Sequence, residues 1–149
     1  MTKTYQVTFV IRLSNLLASA LVRLGLPIGL IHLLTVRGRK SGELRTIPIA
    51  VVKQQGKRYL IAPFGTVNWV RNLRAAAGEA TLTRSRRTEA IRAVELAPDA
   101  AAIVLRESMR GGGVPGFVRN YLSVNANSSL EEYEREVLTH PVFLLQSAI

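Results

Sequence analysis

The sequence contains no cysteine. That single absence excludes disulfide frameworks, thiolate nucleophiles, cysteine-based zinc sites and iron–sulfur clusters. Histidine is nearly as scarce. His32 lies in an apolar run and His140 precedes Pro141, neither with an acidic partner at a recognisable spacing, so no metal site is expected. Aromatic residues are only 6% of the chain, and the arginines follow neither a reading-helix nor an RNP-type pattern. Nucleic acid is therefore not the expected partner. A Gly-x-Ser-x-Gly elbow, a Walker spacing and a Rossmann fingerprint are all missing. Glu43 and Glu89 read as solvated strand residues, and no catalytic side chain is assigned. An enzyme made from this chain needs a cofactor to carry the hard chemistry.

Acid is also in short supply. Ten Asp and Glu face twenty Lys and Arg, a net charge of +10 over 149 residues. The surplus is local: Arg37 to Arg92 holds thirteen basic residues against Glu43, Glu79 and Glu89, and the remainder balances. A confined excess points to an anionic partner: nucleic acid, an acidic membrane surface or a phosphorylated cofactor. Hydrophobic residues make up 48%, enough for one packed domain and too many for disorder. No cleavable signal pattern is evident at the start. Leu16 to Leu34 has only Arg23 charged and approaches the ~20 residues of a bilayer span. Arg23, Gly25, Pro27, Gly29 and His32 interrupt it, so a peripheral rather than spanning relation to a membrane is expected.

Periodicity predicts an amphipathic N-terminal helix, closed by residue 26, with Phe9, Leu13, Leu16, Leu17, Leu21 and Leu24 on one face. Six strands follow: Ile31–Arg37, Leu44–Lys53, Lys57–Ala62, Glu79–Arg84, Thr88–Leu96 and His140–Leu145. Successive hairpins make the sheet antiparallel, and Pro48 marks an edge or a bulge. Short helices are expected at Asn68–Ala77, capped by Thr66 or Asn68, at Pro98–Met109, and after Ser129. The fold class is thus α+β, mainly β, in one domain: helix 1–26, core hairpins 31–96, helical and lid region 97–139, closing strand 140–146. Within the lid region, glycine-rich Gly111–Asn127 carries Phe117 and Tyr121 as candidate substrate residues.

Two stretches carry chemistry. In the first, Gly38 and Gly42 bracket Arg39-Lys40-Ser41, with Arg37 and Arg45 flanking. Such a turn presents backbone N–H groups, a hydroxyl and cations to one anion. The second runs from Ala62-Pro63-Phe64-Gly65 into Asn68-Trp69-Val70-Arg71-Asn72-Leu73-Arg74. A helix starting at Asn68 offers free N–H groups to phosphate or carboxylate. Asn68, Arg71 and Asn72 share one side of it, with Trp69 turned elsewhere.

These blocks, in this order, resemble the deazaflavin-dependent nitroreductase family. The resemblance rests on Leu34–Gly42 followed by Arg45-Thr46-Ile47-Pro48, on Asn68–Ala75, and on the ending His140-Pro141-Val142-Phe143. It implies a six-stranded split β-barrel and binding of coenzyme F-420, an 8-hydroxy-5-deazaflavin with a phosphodiester and an acidic oligoglutamate tail, rather than FMN. The family's phosphate turn maps onto Gly38, Arg39, Lys40, Ser41 and Gly42, with Arg37 and Arg45 nearby. Its ring side maps onto Ala62, Pro63, Phe64, Gly65, Asn68, Trp69, Arg71 and Asn72. The loop Phe64–Val67 is shorter than in well-known members and lacks their Lys. The implied activity is hydride delivery from reduced F-420 to a small electron-poor acceptor: a quinone, enone or nitroaromatic. The alternatives are a non-catalytic F-420 carrier or FMN-binding protein of the same fold, and then a basic nucleic-acid-binding module. The expected location is cytoplasmic, with peripheral contact open at the inner membrane face. Arg84, Arg86 and Arg87 either extend the path of a long acidic tail or form a solvated turn.

Overall fold

A computed structural model describes residues 31–111 and 121–148. The expected helix over 1–26 and the candidate Phe117 lie outside the described residues.

The described chain runs β1 (Ile31–Arg37), β2 (Leu44–Ala50), β3 (Val52–Gln54), β4 (Lys57–Ile61), α1 (Asn68–Ala75), β5 (Glu79–Arg84), β6 (Arg87–Glu95), α2 (Pro98–Arg110), α3 (Leu130–Glu136) and β7 (Val142–Ser147). All seven strands form one antiparallel sheet in the order β2-β1-β5-β6-β7-β4-β3. Its outermost strands, β2 and β3, are separated in sequence by Val51 alone. Consecutive Cα atoms lie about 3.8 Å apart, so the two edges of the sheet must meet and the sheet must curl. The result is a mainly β half-barrel with three helices among the described residues.

The expected single strand Leu44–Lys53 is divided at Val51, which corrects the count from six strands to seven. Its first half pairs with β1 and its second with β4, while the Val51 side chain is completely buried at the bend. A strand that changes partners without changing direction reads in sequence as one β-rich run. Pro48 sits on β2, an outermost strand, opposite Leu33, where a missing N–H costs no ladder bond.

Alternation along the strands turns Leu34, Val36, Leu60, Leu82, Ile91 and Phe143 into the barrel. A second apolar cluster, built on Leu105, Tyr133, Val142 and Ile61, packs α2 and α3 against the sheet. The Tyr133 hydroxyl, buried within it, donates to the Asn125 carbonyl. Ser129 caps α3 in a reciprocal box with Glu132.

Candidate functional site

β1 and β2 are joined at one end of the barrel by the 38–42 turn. The Gly38 N–H donates to the Glu43 carbonyl at 2.7 Å, and the Gly42 N–H donates to the Gly38 carbonyl at 2.9 Å. Arg37 Nη1 closes the turn on the Gly42 carbonyl at 2.7 Å. Gly38 is buried, and a Cβ there would meet the Glu43 carbonyl at 3.1 Å; Gly42 holds φ +76°. Gly42 is thus favoured by its backbone conformation, and Gly38 by a close approach that a side chain would have to push apart.

Asn72 joins this turn to α1. Its Oδ1 accepts from the Arg39 backbone N–H at 3.1 Å and from Arg39 Nη1 at 2.7 Å, while Arg39 Nη2 approaches Asn68 Oδ1 at 3.5 Å. Asn72 is only 6% exposed. Through Arg39 and Asn72, 33 residues apart, the two sequence motifs are therefore one site. Asn68, engaged by Arg39, does not cap α1; Val67 occupies the cap position, and no side chain caps the helix. Thr66 does not cap it either. The first turn of α1 contains no acidic residue, so its leading amides keep their affinity for an anion.

Lys40 and Ser41 stand exposed at the tip. Among the described residues no backbone acceptor takes their N–H groups. Ser41 Oγ accepts from the Glu43 N–H at 3.2 Å and retains its own proton to donate. Arg45 and Glu43 approach at 3.9 Å, both well exposed, a weak pair that leaves the turn cationic. Arg71 is exposed on α1, whereas Arg74 is held away by a two-bond fork to Glu95 at 2.8 and 2.9 Å. That hydrogen bond raises the Arg74 pKa above its ordinary value against opposing desolvation. The turn and helix start suit a phosphate with trailing carboxylates: several cations, free donors and one acid, Glu43, that is exposed and only weakly paired.

The Ala62–Gly65 segment lies at the same end, after β4. Gly65 has φ +88°, and its N–H returns to the Ala62 carbonyl at 3.2 Å. Phe64 meets Tyr121 edge-on, centroids 4.8 Å apart, so the described substrate candidate sits against the ring-side loop. Pro63 is half-buried beside it. Trp69 is half-buried and tilts onto Phe143 at 6.0 Å, which makes it an anchor of the barrel core.

Sequence reasoning missed a buried pair behind this loop. His140 does have an acidic partner: its Nε2 lies 3.3 Å from Glu136 Oε1, four residues earlier. His140 Nδ1 faces the Ala62 carbonyl at 3.0 Å. A carbonyl only accepts, so that nitrogen carries hydrogen and the other faces the carboxylate. Glu136 Oε1 also accepts from the Ser123 N–H at 3.0 Å. The i, i+4 spacing was the available signal, obscured because α3 ends between the two residues. A second correction concerns Glu89. It is not simply solvated, because both its oxygens are engaged by Arg58. The Arg58 hydrogen bond holds its carboxyl below the ordinary value, overcoming desolvation, with His32 adding a smaller effect.

Arg84 and Arg87 are not near the turn. With His32 and Glu89 they line a cavity of about 870 Å³ at the opposite end of the barrel.

Residues 15–117 match the family model described as F420H2-dependent quinone reductase. No curated protein matches the chain. Among solved structures, an F420-H2 dependent reductase, FDR-A, superposes with a TM-score of 0.53 at 19% identity, covering 78% of this chain and 94% of that one. A putative pyridoxamine 5'-phosphate oxidase from Listeria innocua gives 0.52 at 8% identity, covering 89% and 94%. The Agrobacterium tumefaciens protein Atu2129, of unknown function, gives 0.55 at 15% identity, covering 80% and 48%. At such identities these likenesses establish the split-barrel fold and nothing finer.

Proposed function

Because the chain belongs to the F420H2-dependent quinone reductase family, and is thus an oxidoreductase that uses coenzyme F-420, we propose that its acceptor is a quinone and that the 38–42 turn with α1 anchors the cofactor. The observation that carries the site assignment is Arg39, fixed on Asn72 and Asn68 so that turn and helix start form one cationic cradle. Arg39 and Lys40 neutralise the phosphodiester, the tip amides and the Ser41 hydroxyl donate to its oxygens, and Arg71 meets the acidic tail. Arg37 supports the turn from below through Gly42, and Arg45 adds to the field.

When bound, F-420 supplies a hydride equivalent, which with one proton converts a quinone to its hydroquinone. The chain contributes position. Pro63, Phe64 and Gly65 form the ring-side wall, Trp69 pins α1 to the barrel, and Tyr121 packs on Phe64 where an acceptor would enter. None of the residues assigned to the cofactor is a carboxylic acid.

Fluorescence titration with F-420 tests this reading. Saturable binding is expected, weakening by at least about tenfold when Arg39→Glu and Lys40→Glu are combined. An unchanged affinity removes the turn from the site. Turnover of a soluble naphthoquinone with reduced F-420 tests the acceptor, and binding without turnover of any quinone would return the carrier reading.

A further inference from the structure

Among the described residues Glu136 is the only buried acid, and it is not part of the cofactor cradle. A carboxylate inside a fold is tolerated where its bonds offset the loss of water. Glu136 Oε1 has two such contacts, with the Ser123 N–H at 3.0 Å and with His140 Nε2 at 3.3 Å. His140, whose side chain is only 12% exposed, extends the connection through Nδ1 to the Ala62 carbonyl at 3.0 Å. With Nδ1–H committed there, attraction between Nε2 and Oε1 needs one proton between them, so the two groups hold together as a unit. Ala62 is gripped on both sides: its N–H donates to the Pro141 carbonyl at 2.9 Å, and its carbonyl also takes the Gly65 N–H. Gly65 lies against Thr139, whose carbonyl a Cβ would meet at 3.3 Å. The ring-side loop thus rests on residues 139–141. The other arm of the bridge reaches Ser123, flanked by buried Leu122 and Val124 and two residues from Tyr121. Tyr121 meets Phe64 edge-on and closes the circuit.

We propose that Glu136 and His140 are positioning residues for the electron acceptor, holding the ring-side loop and the Tyr121 segment at one fixed separation and so selecting acceptors by width; this rests on the quinone entering at the Phe64–Tyr121 contact, as proposed above. Both residues act through the two loops they hold rather than on the acceptor. Loops joined only by a ring contact slide readily, whereas hydrogen bonds to a carbonyl on one side and an N–H on the other fix spacing and orientation together. A carboxylate suits the junction because one of its oxygens accepts from an amide and an imidazole at once. Displacing such a wall by about 1 Å can change a rate by about 10²-fold. Loss of the bridge lets the gap widen, which penalises a narrow acceptor more than a broad one. A structural staple alone would instead lower the active fraction for every acceptor alike.

Steady-state kinetics of the full chain with reduced F-420 and two acceptors, single-ring p-benzoquinone and a two-ring naphthoquinone, decides it. His140→Ala should raise KM for p-benzoquinone by about tenfold while its kcat stays within about threefold. The naphthoquinone should suffer less, so the ratio of kcat/KM moves toward the broader acceptor by at least about fivefold. His140→Asn puts an amide nitrogen where Nδ1 stood, keeping the Ala62 bond and losing Glu136, and should move the ratio the same way. F-420 affinity, carried by the 38–42 turn, should stay within about threefold in both variants. A second readout needs no cofactor: His140 does not bond to Ser123, yet His140→Ala should speed hydrogen exchange of the Ser123 amide by at least about fivefold. An equal loss of kcat for both quinones with KM unchanged, a His140→Asn variant identical to wild type, or unaltered Ser123 exchange would overturn the proposal. So would a loss of F-420 affinity as large as the change in KM. Wild type that reduces neither quinone would remove the acceptor reading and this one with it. Wild type that reduces both, with the ratio fixed in the variants, would remove this one alone.

Discussion

Asn72 shows how much one buried amide can organise. Its Oδ1 takes two hydrogen bonds from Arg39, so the turn and the helix cannot move apart without leaving a buried acceptor unpaired. Asn72→Ala should cost about 1–3 kcal/mol in urea unfolding. It should also weaken F-420 by about tenfold, because the cations lose their fixed positions. Asn72→Asp, which keeps the acceptor, should restore most of the stability while opposing the anion. The Arg58–Glu89 pair predicts a pH effect. The Glu89 carboxyl is lower in the folded state than its ordinary value of 4.5. Its contribution to stability is thus complete above that value and lost as pH falls through the folded one. The gap in urea midpoint between wild type and Glu89→Gln should therefore be widest near neutrality and close progressively below pH 4.5. A gap independent of pH would show that the ion pair contributes nothing.

At the scale of elements, the hairpins and helices were legible where a local rule was sufficient. Gly111 and Ser129 stand where local chemistry places them, while the expected turns 54–56 and 85–87 each tighten to two residues, Gln55–Gly56 and Ser85–Arg86. Gln55 holds φ +49°, a conformation asparagine adopts more readily. Gln55→Asn should add about 0.5 kcal/mol and raise the thermal midpoint by a few degrees. The start of α1 was read less well. Thr66 and Asn68 are both good capping residues, but Asn68 is drawn to Arg39, a partner that local sequence does not reveal. Likewise the His140–Glu136 contact crosses the end of α3, where helical spacing was no longer assumed.

For the molecule as a whole, closure depends on Val51. There the chain leaves one edge of the sheet and joins the other, with no solvent contact. Val51→Ala removes two buried methyl groups at that junction and should cost about 1–2.5 kcal/mol. Because the barrel closes as a unit, chemical denaturation should remain a single transition with an unchanged slope. A second transition would mean that the two core clusters unfold separately.

Sequence alone determined the antiparallel β-rich class, the turn and helix motifs, the family they resemble and the confinement of positive charge to one window. These follow from local propensity, period and composition, which act over a few residues. Tertiary structure alone decided that the long second strand serves two edges, that Arg39 is oriented by Asn72, and that His140 has a buried partner. It also decided that one basic window becomes two poles. The physical reason is the antiparallel sheet itself: each reversal carries neighbouring residues to opposite ends of a barrel, so charges adjacent in sequence are separated by the length of a strand.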